Sequence, residues 1–195
     1  MSSAANTSPL SGPCYTSPAI VLHWVIGVAI VGSFAVGLYM VGLPLSPQKL
    51  KIYSWHKWAG VTIFLLVMLR LAWRLSHRPP ALPPAMPAWQ VSAAEATHVL
   101  LYLLMFAIPL TGWLTSSAKG FQTVYFGVLP LPDLLRKNVE LGDFLHQIHR
   151  LLNYTMAALV AAHAGAALKH HFLDRDDVLA RMLPLLGKAT TGGMK

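Results

Sequence analysis

The chemistry of this chain is concentrated in its histidines, of which there are nine among 195 residues. Five of them fall inside or at the edges of long apolar runs: His23, His56, His98, His149 and His163. Ionisable side chains are rare in such runs and are usually functional. Imidazole is a common ligand of transition metals, so these five positions are candidate ligands of metal centres.

Two of these histidines are related by the period of an α-helix. His149 and His163 are fourteen residues apart. That interval is close to four full turns, so both side chains lie on one face of a helix, separated by ~21 Å along its axis. A single helix would therefore offer one ligand to each of two centres at different depths.

Four predicted transmembrane helices must position the histidines. Runs with few or no charges, each long enough to cross ~30 Å of hydrocarbon, cover about 19–43, 53–75, 96–118 and 149–171. Basic residues at the ends of the second run can extend to the headgroups, and Pro109 predicts a kink in the third. We expect a single domain, 1–195, whose two termini lie on the same side of the membrane.

Adjacent spans run in opposite directions, and this sorts the histidines by depth. His23 near the start of the first span and His163 in the second half of the fourth lie on the side of the termini. His56 and His149 begin the second and fourth spans, towards the opposite side. Two pairs at two depths is the arrangement that two bis-histidine haems require. The sequence therefore predicts an all-α integral membrane four-helix bundle with two haems stacked across the bilayer.

The type of haem follows from the cysteine count, and the main alternative is a divalent-metal site. Cys14 is the only cysteine, so the Cys-x-x-Cys-His motif of covalent attachment is excluded and the haems are b-type. A divalent-metal site would need three or more ligands at one depth with acidic partners. The four predicted spans contain no Asp or Glu, which favours haem.

Two further histidines compete with the predicted ligands. His98 is level with His23 and His163 and could replace either of them; we expect it to lie beside the haem or in a substrate site instead. His146 competes with His149, but it lies outside the apolar run and lacks the fourteen-residue relation.

Arg70 and three glycines fit the same arrangement. Arg70 follows His56 by fourteen residues, so it faces the same way at the depth of the other histidine pair. A buried guanidinium needs an anion, which a haem propionate would provide; alternatively, Arg70 reaches lipid phosphate. Gly37 has the matching offset on the first span. Gly27 and Gly60 each follow a candidate ligand by four residues, where a flat ligand could lie close or helices could simply pack.

The composition favours a membrane protein over a soluble or nucleic-acid-binding one. Charged residues make up 11% of the chain, compared with ~25% in soluble proteins. The net charge of +8 does not form a patch, because the basic residues lie at the ends of apolar runs, where they bind headgroups. Eight Lys and Arg near span ends fall on one side and seven on the other, so charge does not decide the orientation.

The connections between the spans have no predicted core of their own. Five prolines within 79–87 are typical of a polyproline-like linker. In the longer connection before the fourth span, the stretch 131–145 could lie as a helix on the membrane surface. The tail after His171 is too polar to span the bilayer.

Several motifs together resemble the bacterial cytochrome b561 family over 20–184. They are LHW at His23, WHKWAG at His56, VMLRLAWR at Arg70, THVLLYLLMFAIPLTG in the third span and HAGAALKHHF at His163. Within the family the chain is most similar to superoxide oxidases, which pass electrons from superoxide to ubiquinone. The spacing also resembles the cytochrome b subunits that anchor formate dehydrogenases and hydrogenases.

The resemblance implies a di-haem four-helix bundle in the inner membrane with both termini cytoplasmic. It assigns His23 and His163 to the cytoplasmic haem, and His56 and His149 to the periplasmic one. The expected partners are lipid, a quinone and a periplasmic redox donor, with no nucleic acid.

Two functions are compatible with this arrangement. The first is an oxidoreductase that takes electrons from superoxide or another periplasmic donor and reduces ubiquinone; Trp24 and His170 match positions near the family's quinone site. Five cations could steer superoxide or simply contact headgroups: Lys49, Lys51, Lys57, Arg136 and Lys137. The second function is a haem-bearing membrane anchor for a periplasmic dehydrogenase or hydrogenase.

Overall fold

Four long helices dominate the computed structural model, which describes residues 15–81 and 86–183. They are α1 Ser17–Val41, α2 Pro47–Ser76, α3 Ala88–Ala118 and α4 Val139–Lys169. Each of the four is long and apolar enough to cross a membrane. The all-α membrane bundle predicted from the sequence is confirmed. Cys14, the centre of the proline-rich linker and the second half of the polar tail lie outside the described residues.

Three of the helices begin well before the predicted spans, because hydropathy marks only the apolar part of a helix. α2 starts at Pro47 instead of 53, α3 at Ala88 instead of 96 and α4 at Val139 instead of 149. Local capping fixes two of these starts. The Ser46 hydroxyl accepts the backbone N–H of Lys49 at 3.2 Å, and the Asn138 side chain accepts that of Leu141 at 3.0 Å.

The surface helix predicted over 131–145 is wrong. Residues 131–138 are irregular, and the remainder forms the first turns of α4. Before them, β1 (Val124–Tyr125) and β2 (Leu129–Pro130) form a short antiparallel hairpin. Its turn places Phe126 and Gly127 at positive φ. Prolines at 130 and 132 disfavour a helix here, and the chain instead returns to the end of α3, where the Asn138 N–H donates to the Ala118 carbonyl at 2.8 Å.

Neighbouring helices in sequence pack against each other, whereas α1 and α4 make few contacts. The buried core consists of Ile26, Ile63 and Val67, where α1, α2 and α3 meet. Pro109 lies inside α3, which continues to Ala118. On α4, only Gly142 and Met156 are buried among the residues of that helix. α1 and α4 approach each other through aromatic rings, His23 with His163 and Phe34 with Tyr154.

Connecting segments are attached to both ends of the bundle. At one end the hairpin lies on α2: the Trp58 indole donates to the Val124 carbonyl at 2.7 Å, and the hydroxyls of Thr62 and Tyr125 are 2.9 Å apart. At the other end α4 finishes in a π-helical turn, His170–Asp174, after which the chain folds back over the bundle.

Candidate functional site

Each of the four helices contains one interval of fourteen residues whose ends lie at the same two levels. The intervals are His23–Gly37 on α1, His56–Arg70 on α2, His98–Gly112 on α3 and His149–His163 on α4. A methyl group at Gly37 would lie 3.5 Å from Cε1 of His56, and one at Gly112 would lie 3.1 Å from Cε1 of His149. The ends of the intervals therefore meet across the bundle.

We call the two levels the loop layer and the terminal layer, after the parts of the chain nearest to them. The loop layer contains His56 and His149 with Gly37 and Gly112, and it lies towards the α3–α4 connection. The terminal layer contains His23, His98, His163 and Arg70, and it lies towards the start of α1 and the end of α4. The two layers are separated by ~21 Å, the length of fourteen helical residues.

In the loop layer, the rings of His56 and His149 face each other with centroids 6.4 Å apart and planes at 88°. Nδ1 of His149 lies 3.0 Å from the carbonyl oxygen of Ile108. Because a carbonyl only accepts, the proton of His149 is on Nδ1 and the lone pair of Nε2 is available to a metal. Nδ1 of His56 lies 3.3 Å from the hydroxyl of Ser33.

In the terminal layer, the rings of His23 and His163 have centroids 6.2 Å apart and planes at 73°. His98 comes from α3 and lies closer to His163, at 5.3 Å. Trp24 packs edge-on against His23 at 5.4 Å. Three imidazoles therefore share this level, compared with two in the loop layer.

The ring separations provide a test of whether a metal ion fits between the paired histidines. Imidazole nitrogen binds a first-row metal at ~2 Å and the ring centroid lies ~1 Å beyond, so rings on opposite sides of one ion have centroids ~6 Å apart. The separations of 6.2 and 6.4 Å fit that geometry. The 5.3 Å between His98 and His163 is shorter than it.

The surroundings also have room for a flat macrocycle. A methyl group at Gly27 or Gly60, one turn beyond His23 and His56, would meet no other atom within 4 Å. The residues of both layers therefore fit haem with two histidine ligands.

Arg70 is held inside the bundle by polar groups of two other helices. Its Nε donates to the Tyr102 hydroxyl at 3.1 Å, and Nη1 donates to the carbonyl of Ala19 at 3.0 Å, one turn before His23. Arg74 lies over the Tyr102 ring, 5.8 Å from its centroid. These contacts keep the Arg70 guanidinium in the terminal layer; its predicted bond to a propionate stays a prediction.

Trp24 and His170 are both attached to the segment after α4. The Trp24 indole donates to the Met182 carbonyl at 2.8 Å. His170 lies 2.6 Å from a carboxylate oxygen of Asp176 and 3.2 Å from one of Asp174. The structure therefore does not pair the two residues directly, but it places a histidine–carboxylate cluster and an indole at the same end of the bundle.

The cations predicted to steer a donor are partly engaged by the protein. The ammonium of Lys49 donates to the Leu43 carbonyl at 2.6 Å, and that of Lys57 donates to the Phe121 carbonyl at 2.9 Å. Lys51 lies over the Trp55 ring at 5.1 Å. Lys49 and Lys57 therefore hold the backbone of connecting segments, which favours a structural role for these two residues over steering of a donor.

Sequence reasoning missed the groups that orient the histidines. Ser33, Thr111 and the Ile108 carbonyl carried no signal, because their role depends on which helices are neighbours. Gly112 could have been found, since it follows His98 by the fourteen residues already noted on the other helices.

Comparison with known proteins identifies the family. The family model described as prokaryotic cytochrome b561 matches residues 14–185. Cytochrome b561 homolog 2 of Escherichia coli (strain K12) is 36% identical over 162 residues, covering 83% of this chain and 86% of the relative. Homolog 1 of the same organism is 31% identical over 176 residues, covering 87% and 97%. The probable superoxide oxidase CybB of Yersinia pestis is 27% identical over 170 residues, covering 87% and 96%. The chain belongs to the prokaryotic cytochrome b561 family, whose members bind haem b and transfer electrons in membranes.

Proposed function

We propose that this chain is a di-haem cytochrome that carries electrons across the bacterial inner membrane. His56 and His149 hold one haem b in the loop layer, and His23 and His163 hold the other in the terminal layer. The single observation that carries the proposal is the separation of the paired rings, 6.4 and 6.2 Å at two levels of one bundle. The whole chain, 1–195, acts as one domain.

When bound, each haem would supply one-electron chemistry, with a pair of histidines as its protein ligands. Neighbouring polar groups of the side chains and the backbone hold these histidines in place. Ile108 and Thr111 fix the ring of His149, and Ser33 fixes that of His56. Arg70 adds a positive charge to the terminal layer that attracts a propionate.

The proposed donor is superoxide and the proposed acceptor is ubiquinone. Two superoxide ions are oxidised to two molecules of O₂, and ubiquinone takes up the two electrons with two protons to form ubiquinol. The relative named probable superoxide oxidase supports the donor. The terminal layer supports the acceptor, because protons must enter where the quinone is reduced, and His98 and His170 lie at that end with Trp24.

This reaction sets the proposed orientation. The loop layer faces the periplasm, where superoxide arrives, and both termini lie in the cytoplasm. Free basic groups on the loop side would raise the local concentration of an anionic donor, at a rate that falls with salt.

The proposal is tested with the purified chain alone. Acidic organic solvent should release two haems per chain, and the oxidised and reduced spectra should be low-spin and b-type. Superoxide generated enzymatically should then reduce ubiquinone, and added superoxide dismutase should stop the reaction. A chain with both haems that does not reduce quinone without a partner would favour the anchor function instead.

The anchor function is the second candidate, and exposed apolar side chains on the hairpin favour it. Phe126 and Val128 are 60% and 83% exposed on the loop side of the bundle. A dehydrogenase subunit docked there would deliver electrons to the loop layer. Co-purification of a redox enzyme from native membranes, lost on Val128→Asp, would support it.

A further inference from the structure

Between the two layers lies a level of apolar side chains, none of which is a proposed haem ligand. The midpoints of the four fourteen-residue intervals are Ile30, Ile63, Met105 and Met156. All four are apolar, although each interval ends in histidine, arginine or glycine. This midpoint level lies ~10 Å from either layer, seven helical residues each way.

Two of the midpoint residues are among the most buried in the molecule. Met156 is 4% exposed and Ile63 is 6% exposed. Ile30 and Met105 pack around the buried cluster of Ile26, Ile63 and Val67. The midpoint level therefore contains two buried apolar side chains, from α2 and α4, and two partly buried ones, from α1 and α3.

Met156 has a special position because α4 carries one proposed ligand of each layer. It lies seven residues after His149 and seven before His163, which is about two helical turns each way and places it on the face that carries both histidines. Methionine is unbranched and polarisable, so it fills an irregular space between two flat groups better than a branched side chain does. Met156 therefore lies, buried, on the line along α4 that joins the two layers.

The polar groups of each layer are on opposite sides of this level. The terminal layer has His98, His163 and Arg70, and the loop layer has two histidines with Ser33 and Thr111. Electrons cross an apolar gap by tunnelling, but protons need water or titratable groups, which an apolar level excludes. Such a level therefore lets electrons pass and stops protons.

We infer that Met156 and Ile63 form a proton barrier between the two histidine layers. The inference rests on the proposed function in one respect, namely that the two layers are redox centres facing opposite sides of the membrane. Without the barrier, an electron carrier with a polar layer at each side would dissipate the proton gradient of the membrane that contains it.

Proton permeability of vesicles containing the haem-loaded protein tests the barrier. A potassium gradient with valinomycin drives protons inward, and a trapped pH dye reports their entry. Wild-type vesicles should be as tight as protein-free ones. Met156→Gln, which places an amide at the barrier, should raise the rate of proton entry several-fold, and Ile63→Asn should act in the same direction.

Two matched controls separate the barrier from a general effect of substitution. Met156→Leu keeps the level apolar and should not leak. Ala158→Gln places the same amide at nearly the same depth on an exposed face of α4, and it should not leak either. Equal leakage from Met156→Gln and Ala158→Gln, or tight vesicles with Met156→Gln, would overturn the inference.

The haem content and spectrum of each variant are measured on the same samples. If Met156→Gln does not insert and fold, Met156→Ala replaces it, since the cavity it opens can admit water while keeping the helix. A failure of the proposed function appears as missing haem or missing quinone reduction in the wild type. A failure of the barrier appears only as permeability, so the two results are distinguishable.

Discussion

The loop layer and the terminal layer use the same pair of residue types in different surroundings. In the loop layer, His56 and His149 each have a hydrogen-bonded Nδ1, and glycines at 37 and 112 leave room for the rings. In the terminal layer, within residues 15–81 and 86–183, neither His23 nor His163 has such a bond. There the neighbours are His98, Arg70 and Trp24.

We propose from this difference that the two layers have different tasks. Rings fixed through Nδ1 keep one orientation and one tautomer, which suits a centre that only passes electrons. A layer with a third imidazole, a guanidinium and a nearby carboxylate cluster has groups that can handle protons and charge. We therefore expect substitutions in the loop layer to act on the metal centre, and those in the terminal layer to act on substrate chemistry as well.

Replacing the proposed ligands on α4 should have the largest effect. His149→Ala should lose mainly the loop-layer haem, and His163→Ala mainly the terminal-layer haem, because each ring would supply one of the two histidines that hold its haem. Haem extraction and low-temperature spectra of the purified variants measure both losses. His146→Ala, on the same helix but without a paired ring, is the control and should keep both haems.

We also expect His98→Ala to keep both haems and to slow quinone reduction. Its ring centroid is 5.3 Å from that of His163, which is shorter than the ~6 Å expected for two rings on opposite sides of one ion. Loss of a haem in His98→Ala together with retention in His163→Ala would show that the terminal pair is wrongly assigned.

Crowding the loop layer should have the next largest effect. A methyl at Gly112 would lie 3.1 Å from Cε1 of His149, and the ring cannot yield easily because Ile108 and Thr111 hold its Nδ1. Gly112→Ala should therefore broaden or shift the spectrum of one haem and lower its occupancy. Gly32→Ala, where a methyl would meet nothing within 4 Å, should leave both haems unchanged.

How far the sequence predicts this site depends on whether a feature belongs to one helix or to several. The fourteen-residue relation between His149 and His163 lies within one helix, so helical geometry alone gives their common face and separation. Which helices are neighbours is not encoded locally. The contact of Ser33 with His56 and that of Ile108 with His149 were therefore not predictable.

The same distinction explains the errors in the fold. Hydropathy predicts the four spans, because it measures what lies within the hydrocarbon. It does not detect caps such as Ser46 and Asn138, so the predicted starts of α2 and α4 were too late. The polar stretch 131–145 was compatible with a surface helix, but its first half is bonded back to the end of α3 through contacts that the local sequence does not show.

Removing the charge of Arg70 should have a smaller, specific effect on the terminal layer. Arg70→Gln should lower the midpoint potential of one haem, because a nearby cation stabilises the more negative reduced state. A charge-assisted bond to a propionate is typically worth ~1.5–3 kcal/mol, and this sets the upper size of the expected shift in midpoint potential. Redox titration with spectral resolution of the two haems measures the shift.

Arg74→Gln is the matched control for Arg70, since Arg74 lies one turn further along α2, over the Tyr102 ring. A shift confined to Arg70→Gln would support direct contact with a propionate. Equal shifts in both variants would indicate a long-range effect of charge, and unchanged potentials would mean that Arg70 serves only to bind Tyr102 and Ala19.

The smallest expected effect is that of the hydrogen bond to His56. Ser33→Ala should raise the midpoint potential of the loop-layer haem, because an acceptor at Nδ1 makes the ring a stronger donor to the oxidised metal. The size should be that of one neutral bond, ~0.5–1.5 kcal/mol.

Thr111→Val should change the potential less than Ser33→Ala, because Nδ1 of His149 keeps its 3.0 Å bond to the Ile108 carbonyl. Spectral redox titration of both variants, with the terminal-layer haem as internal reference, makes the comparison within one sample. If Ser33→Ala shifts the terminal-layer haem instead, the pairing of Ser33 with the loop layer is wrong. If Thr111→Val has the larger effect, the Thr111 hydroxyl orients His149. The Nδ1 proton of His149 would then be donated to that hydroxyl instead of to the Ile108 carbonyl.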